Sequence, residues 1–156
     1  MHRHGGLSPR VCTDDPDRFD DAVRLYEDAL RFVDATAGPI ETPPRIVFCA
    51  TQACFRAFGF ERAAARAIGT SGIVVGPRGW QPHYLRHELI HHLQAERLGL
   101  RAMLFGPEWF IEGMAYALSD DPRPMLGEPW QEHRERFESW YREIDRDRLW
   151  QEASKL

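Results

Sequence analysis

At 156 residues, 43% hydrophobic and 28% charged, the chain has the size of one domain with one core, and its 5 Trp and 9 Phe argue against a disordered polymer. The formal net charge of -4 arises from 24 acids interleaved with 20 basic residues, so the clustered basic surface that nucleic acid requires is missing. No run reaches the ~20 apolar residues of a membrane span, and the opening MHRHGGLSPR lacks the apolar stretch of a secretory leader.

Cys12, Cys49 and Cys54 are odd in number and have no CxxC spacing, which argues against a disulfide and for a reducing, cytoplasmic setting. Residues 1–15 are expected to be mobile. A helix is predicted from about Asp17 to Ala35, opened by Pro16 and ended by Gly38-Pro39, with Phe19, Val23, Tyr26, Leu30 and Val33 as its apolar stripe. RIVFCA, from Arg45 to Ala50, reads as a strand, and a short helix follows from Gln52 to Phe58. The segment ERAAARA reads as an alanine-rich turn, and GIVVGP, from Gly72 to Pro77, as a second strand.

A strong helix runs from Pro82 to Leu98, with proline near its start and Gly99 at its end. Another opens after Gly106-Pro107 and runs to Leu118, closed by Ser-Asp-Asp-Pro. Residues 120–129 form a proline-rich loop. The stripe Trp130, His133, Phe137, Trp140, Ile144 marks a last helix from Trp130 to about Leu149. Short strands among dominant helices make the class α+β with a small sheet.

The helix from Pro82 contains HELIHH. His87 and His91 stand four residues apart, so both imidazoles leave one helix face a turn apart and can reach one Zn²⁺. Glu88, beside the first of them, is placed to act as general base on a zinc-bound water. Leu85, Leu89 and Leu93 form a separate apolar stripe, which commits the other face to a core. A catalytic zinc asks for one more protein ligand and one open position. Glu112 lies in PEWFIEGMAYAL among Trp109, Phe110, Ile111 and Met114, and a carboxylate buried there must be paired or bound to a cation. Gly113 and Ala115 are small enough to let this helix approach the His helix. Glu108, at the helix start, is satisfied by the positive helix end alone.

HELIHH followed some twenty residues later by WFIEGMA resembles the gluzincin clan of zinc metallopeptidases. The matching positions are His87, Glu88 and His91, then Trp109, Glu112, Gly113 and Ala115. The resemblance spans residues 72–118 and implies a zincin-like fold, in which a small mixed sheet packs on the active-site helix and the glutamate helix. It further implies zinc-dependent peptide-bond hydrolysis, with peptide or protein as substrate. An edge strand would take that substrate, and Ile73, Val74 and Val75 are expected to be it. The clan's aspartate four residues after the glutamate is Tyr116 here, so a ligand histidine must be oriented by Tyr116, a backbone carbonyl or Asp120.

His133, the only polar member of its stripe, is a candidate hydrogen-bond donor to the reacting oxygen, with Tyr141 beside it. His92 reads as structural or exposed, and Arg78 and Trp80 as possible borders of the cleft. Two other readings stand beside this one. A deformylase-like hydrolase would use Cys49 or Cys54 as third ligand. A zinc-stabilised regulatory or interaction module would keep the metal without proteolytic turnover.

Overall fold

A computed structural model describes residues 10–156. Its elements are β1 (Val11–Thr13), α1 (Phe19–Ala37), β2 (Arg45–Phe48), α2 (Gln52–Ala57), β3 (Ala65–Ile68), β4 (Gly72–Val75), α3 (Pro82–Leu98), α4 (Leu100–Phe105), α5 (Glu108–Leu118), α6 (Trp130–Glu143) and α7 (Leu149–Ala153). Mixed helices and a small sheet give the α+β class expected. Among the described residues no helix is long and apolar enough to cross a membrane.

The sheet order is β1-β2-β4-β3. β1, β2 and β4 run parallel, and β3 closes the sheet antiparallel to β4, with Arg66 opposite Val74 and Ile68 opposite Gly72. β4 is therefore interior: Ile73, Val74 and Val75 are 1%, 2% and 0% exposed, with a neighbouring strand on each side. The expectation that Ile73–Val75 form an edge strand is corrected: the edges of the sheet are β1 and β3. The β3 sequence ARAI carries one β-branched residue, so it reads as a turn until β4 supplies a partner. β1 also went unforeseen: Val11 is buried and pairs with Ile46, although residues 1–15 were expected to be mobile.

α1 begins at Phe19, behind a short 3₁₀ turn that Asp15 caps by accepting the Asp17 N–H at 3.1 Å. Its buried stripe is Ala22, Tyr26, Ala29, Val33 and Ala37, rotated slightly from the one expected, because the alanines let the helix sit close to its neighbours. Tyr26 closes the stripe by donating its hydroxyl to Pro44 O at 2.5 Å. α3 shares that core through Leu85, Leu89, Ile90 and Leu93, all fully buried. His92, only 2% exposed, has Nε2 2.8 Å from Thr42 O and 3.2 Å from Glu96, and is structural.

The predicted last helix breaks. α6 ends at Glu143, Ile144 is extended, Asp145 caps a 3₁₀ turn, and α7 starts a new direction that buries Leu149 and Ala153. Trp150 Nε1 then donates to Ala37 O at 2.7 Å, tying α7 to the end of α1.

Cys49 and Cys54 are joined in a disulfide, contrary to expectation. Thr51 caps α2 and folds the chain back, which leaves the two Cα atoms 5.4 Å apart, within bridging range. Cys12 is the free cysteine among the described residues. The cytoplasmic expectation rested in part on unpaired cysteines, and that ground falls.

Candidate metal centre

α3 carries a dry face and a wet one. With the leucines committed to the core, His87, Glu88 and His91 face a cavity of about 730 Å³ bounded by β3, α3, α4, α5 and the loop after α5. α5 lies across α3 and brings Glu112 to the two imidazoles. His87 Nε2 and His91 Nε2 are 3.1 Å apart, and each is 3.5 Å from an oxygen of the Glu112 carboxylate. The three side chains form the metal-competent group among the described residues. A tetrahedral zinc with ligands at ~2.0–2.1 Å separates its ligand atoms by ~3.3–3.4 Å. The nitrogens stand slightly closer than that and each reaches a different carboxylate oxygen at 3.5 Å, so the three side chains lie within reach of one divalent cation.

The donor set is electrostatically poised. Burial pushes the His91 imidazole down, but its bond to Glu112 and the charges of Glu88 and Glu112 outweigh this and hold it up at about 9. Burial likewise pushes Glu112 up, yet hydrogen bonds from His87 and His91 hold it well below the usual carboxylate range. Without metal, a proton on His91 takes the cation's place between the nitrogens and the carboxylate.

Gln94 sets the geometry of His91. Its Nε2 donates to Ile111 O at 3.0 Å, which turns Oε1 toward His91 Nδ1 at 2.9 Å. An oxygen there requires hydrogen on Nδ1, leaving the Nε2 lone pair aimed into the group. Fully buried Gln94 thus supplies the orientation sought from Tyr116, a carbonyl or Asp120, and also fastens α3 to α5. Tyr116 instead packs edge-on against His87, centroids 4.5 Å apart.

Glu88 is 8% exposed and lines the cavity. Its Oε2 accepts the Ala67 N–H of β3 at 2.8 Å, so the edge strand holds one carboxylate oxygen.

His133 does not join the centre. It is not among the cavity-lining residues, and its Nε2 lies 3.8 Å from Glu108 at the start of α5, too far for a hydrogen bond. The reason is packing: Gly113 faces α6 at His133 O, so α6 crosses α5 there and lends the cavity Trp130, at its first position, and not His133. Tyr141 stacks on Phe137 at 5.3 Å and lines a different depression. Arg78 borders the cavity, whereas Trp80 packs on Phe48 and donates to Cys49 O. Cys49 and Cys54 are consumed by their disulfide, which removes the cysteine-ligand reading.

Residues that sequence reasoning passed over are His83, Gln94 and Arg123. His83 precedes His87 by one turn and lines the cavity, and Gln94 follows His91 at three residues, so both were available from helical spacing. Arg123 depends on the path of a loop and left no signal. No protein-family model, curated protein or solved structure matches the chain.

Proposed function

We propose that this chain is a metal-dependent hydrolase with zinc at His87, His91 and Glu112. Within that class we propose a peptidase with Glu88 as general base. Two imidazoles and one carboxylate are a donor set that suits zinc, and three protein ligands leave a coordination position for chemistry. When bound, such a cation polarises a carbonyl and acidifies water.

The chain's own residues do the rest. Glu88 Oε2 is held by the Ala67 N–H, which leaves Oε1 to take the proton of the attacking water and return it to the leaving nitrogen. A neighbouring strand edge favours an extended substrate. Gly76 N donates to Ala64 O, and Arg66 and Ile68 stand opposite β4 residues, so alternation turns the N–H and C=O groups of Ala65 and Ala67 outward. The Ala65 groups and the Ala67 carbonyl are placed to pair with a peptide backbone.

The observation that carries the reading is the joint placement of the His87–His91–Glu112 group and Glu88 beside that free edge. Cleavage of a mixed peptide library is the test. Zinc-loaded protein is expected to cleave it, a chelator to stop cleavage, and added zinc to restore it. Retention of zinc with no cleavage would leave the non-catalytic zinc module in its place.

A further inference from the structure

Three arginines of the cavity, Arg66, Arg78 and Arg123, have no part in the chemistry above, and Arg123 is the one fixed by an ion pair with a buried carboxylate. It lies on a loop that is held from three directions. Asp120, with φ 56 two residues past the end of α5, turns the chain back in the left-handed conformation that aspartate tolerates. Arg134, buried in α6, donates to Arg123 O at 3.0 Å and Pro124 O at 2.9 Å, and Gln131 Oε1 accepts the Leu126 N–H at 3.0 Å. Asp121, whose side chain is 2% exposed, accepts from Arg123 Nε at 2.9 Å and Nη2 at 2.5 Å.

The guanidinium is thereby posed, not consumed. Among the described residues its Nη1 makes no hydrogen bond, and the side chain remains 45% exposed. It lies 5.8 Å from the Tyr84 ring centroid and 5.9 Å from that of Tyr116, within cation–π range. Tyr116 is the ring that packs on His87, so Arg123 stands one side chain removed from a metal ligand.

Charge points the same way. Arg66, Arg78 and Arg123 line the cavity against Glu88, Glu112 and Asp121, so with the histidines neutral, as metal ligands must be, the side chains balance. A divalent cation at the centre would leave the cleft with excess positive charge, focused by its low-dielectric walls.

We propose that Arg123 is a specificity-determining residue that binds a substrate carboxylate near the scissile bond. The substrates would then be peptides with a free C-terminal carboxylate or an acidic side chain at that place. This inference rests on the peptidase reading above.

The experiment gives zinc-loaded protein three matched peptide sets: neutral free acids, the same peptides amidated, and amidated peptides with one Asp or Glu scanned through them. One carboxylate-bearing set is expected to exceed the neutral amides by about tenfold in kcat/KM. Preference for the free acids identifies the terminal carboxylate, and preference for the scanned set identifies the side chain. Arg123→Gln should erase the preference through KM. Arg123→Lys should restore part of it, since charge returns without the fork. Arg142→Gln, an exposed arginine outside the cavity, should keep it.

Cleavage without preference, or a preference that survives Arg123→Gln, overturns the inference and leaves the peptidase reading standing. If no set is cleaved the peptidase reading falls, and calorimetry with the linear dicarboxylates from malonate to adipate decides the inference. Zinc-loaded wild type should then bind one of them about tenfold more tightly than acetate, with the gain lost in Arg123→Gln. Equal binding by the two proteins overturns it. Melting and zinc content are read for each variant, and Arg123→Lys carries either comparison if Arg123→Gln has lost its fold.

Discussion

Gln94 ties the local chemistry of His91 to the packing of two helices. Replacing it with leucine keeps the volume roughly but leaves His91 Nδ1 without its acceptor and removes the Gln94 bond to Ile111 O. Loss of such an orienting partner typically weakens metal binding ~10–100-fold, and that loss is expected in a competitive chelator titration of Gln94→Leu. The His91 proton makes a second prediction. Its folded value of about 9 lies above the ordinary ~6.5, so its contribution to the metal-free fold is complete below pH ~6.5 and is lost as pH rises through about 9. The melting temperature of metal-free protein should fall across that window. Zinc must displace the same proton, so zinc affinity should rise there by about tenfold per pH unit. A flat zinc affinity would mean that His91 carries no proton across that window in the metal-free protein. At this scale His87, Glu88 and His91 were legible because helical spacing alone places them. Glu112 was legible because a carboxylate among aromatics must be paired or bound to a cation. His133 lies outside the cavity lining, and its buried Nε2 makes no hydrogen bond, with Glu108 3.8 Å away.

α5 and α6 meet at Gly113, where an added Cβ would lie 2.2 Å from His133 O and 2.9 Å from Phe137 Cβ. Helix propensity alone makes Gly113→Ala favourable by ~1 kcal/mol. Contact with a helix backbone that cannot yield should dominate, and a net loss of about 1–3 kcal/mol is expected in denaturant unfolding, accompanied by weaker zinc binding as α5 shifts. Gly127→Ala, with nothing within 4 Å of the new Cβ, should lie within ~0.5 kcal/mol of wild type. The small residues of α5 were expected to admit the His helix, whereas Gly113 admits α6. Sequence identifies a close approach, but not the partner, because that depends on how the chain returns after residues 120–129. The same limit explains the strands. α3 and α5 carry their own start signals and periodicity, while β1 and β3 are three- and four-residue segments defined by the strands beside them.

The whole molecule converts one helix with two committed faces into a site. α1 and the sheet take the leucine face of α3, and α5, fixed against α6 and tied through Gln94, brings Glu112 to the other. β3 then places a free edge alongside and holds Glu88 through Ala67. The fold class and both site helices were legible because composition and periodicity act locally. The edge strand, the Cys49–Cys54 bridge and the pose of Arg123 were not, since each depends on where distant segments return. We propose that Glu88 moves the proton for hydrolysis at this centre. The most direct measurement compares peptide-library cleavage by wild type and Glu88→Gln, each loaded with one zinc per chain. That role predicts cleavage by wild type, and a loss of ~10²–10⁴-fold in the variant with zinc and melting temperature retained. Equal cleavage by the two proteins would contradict it.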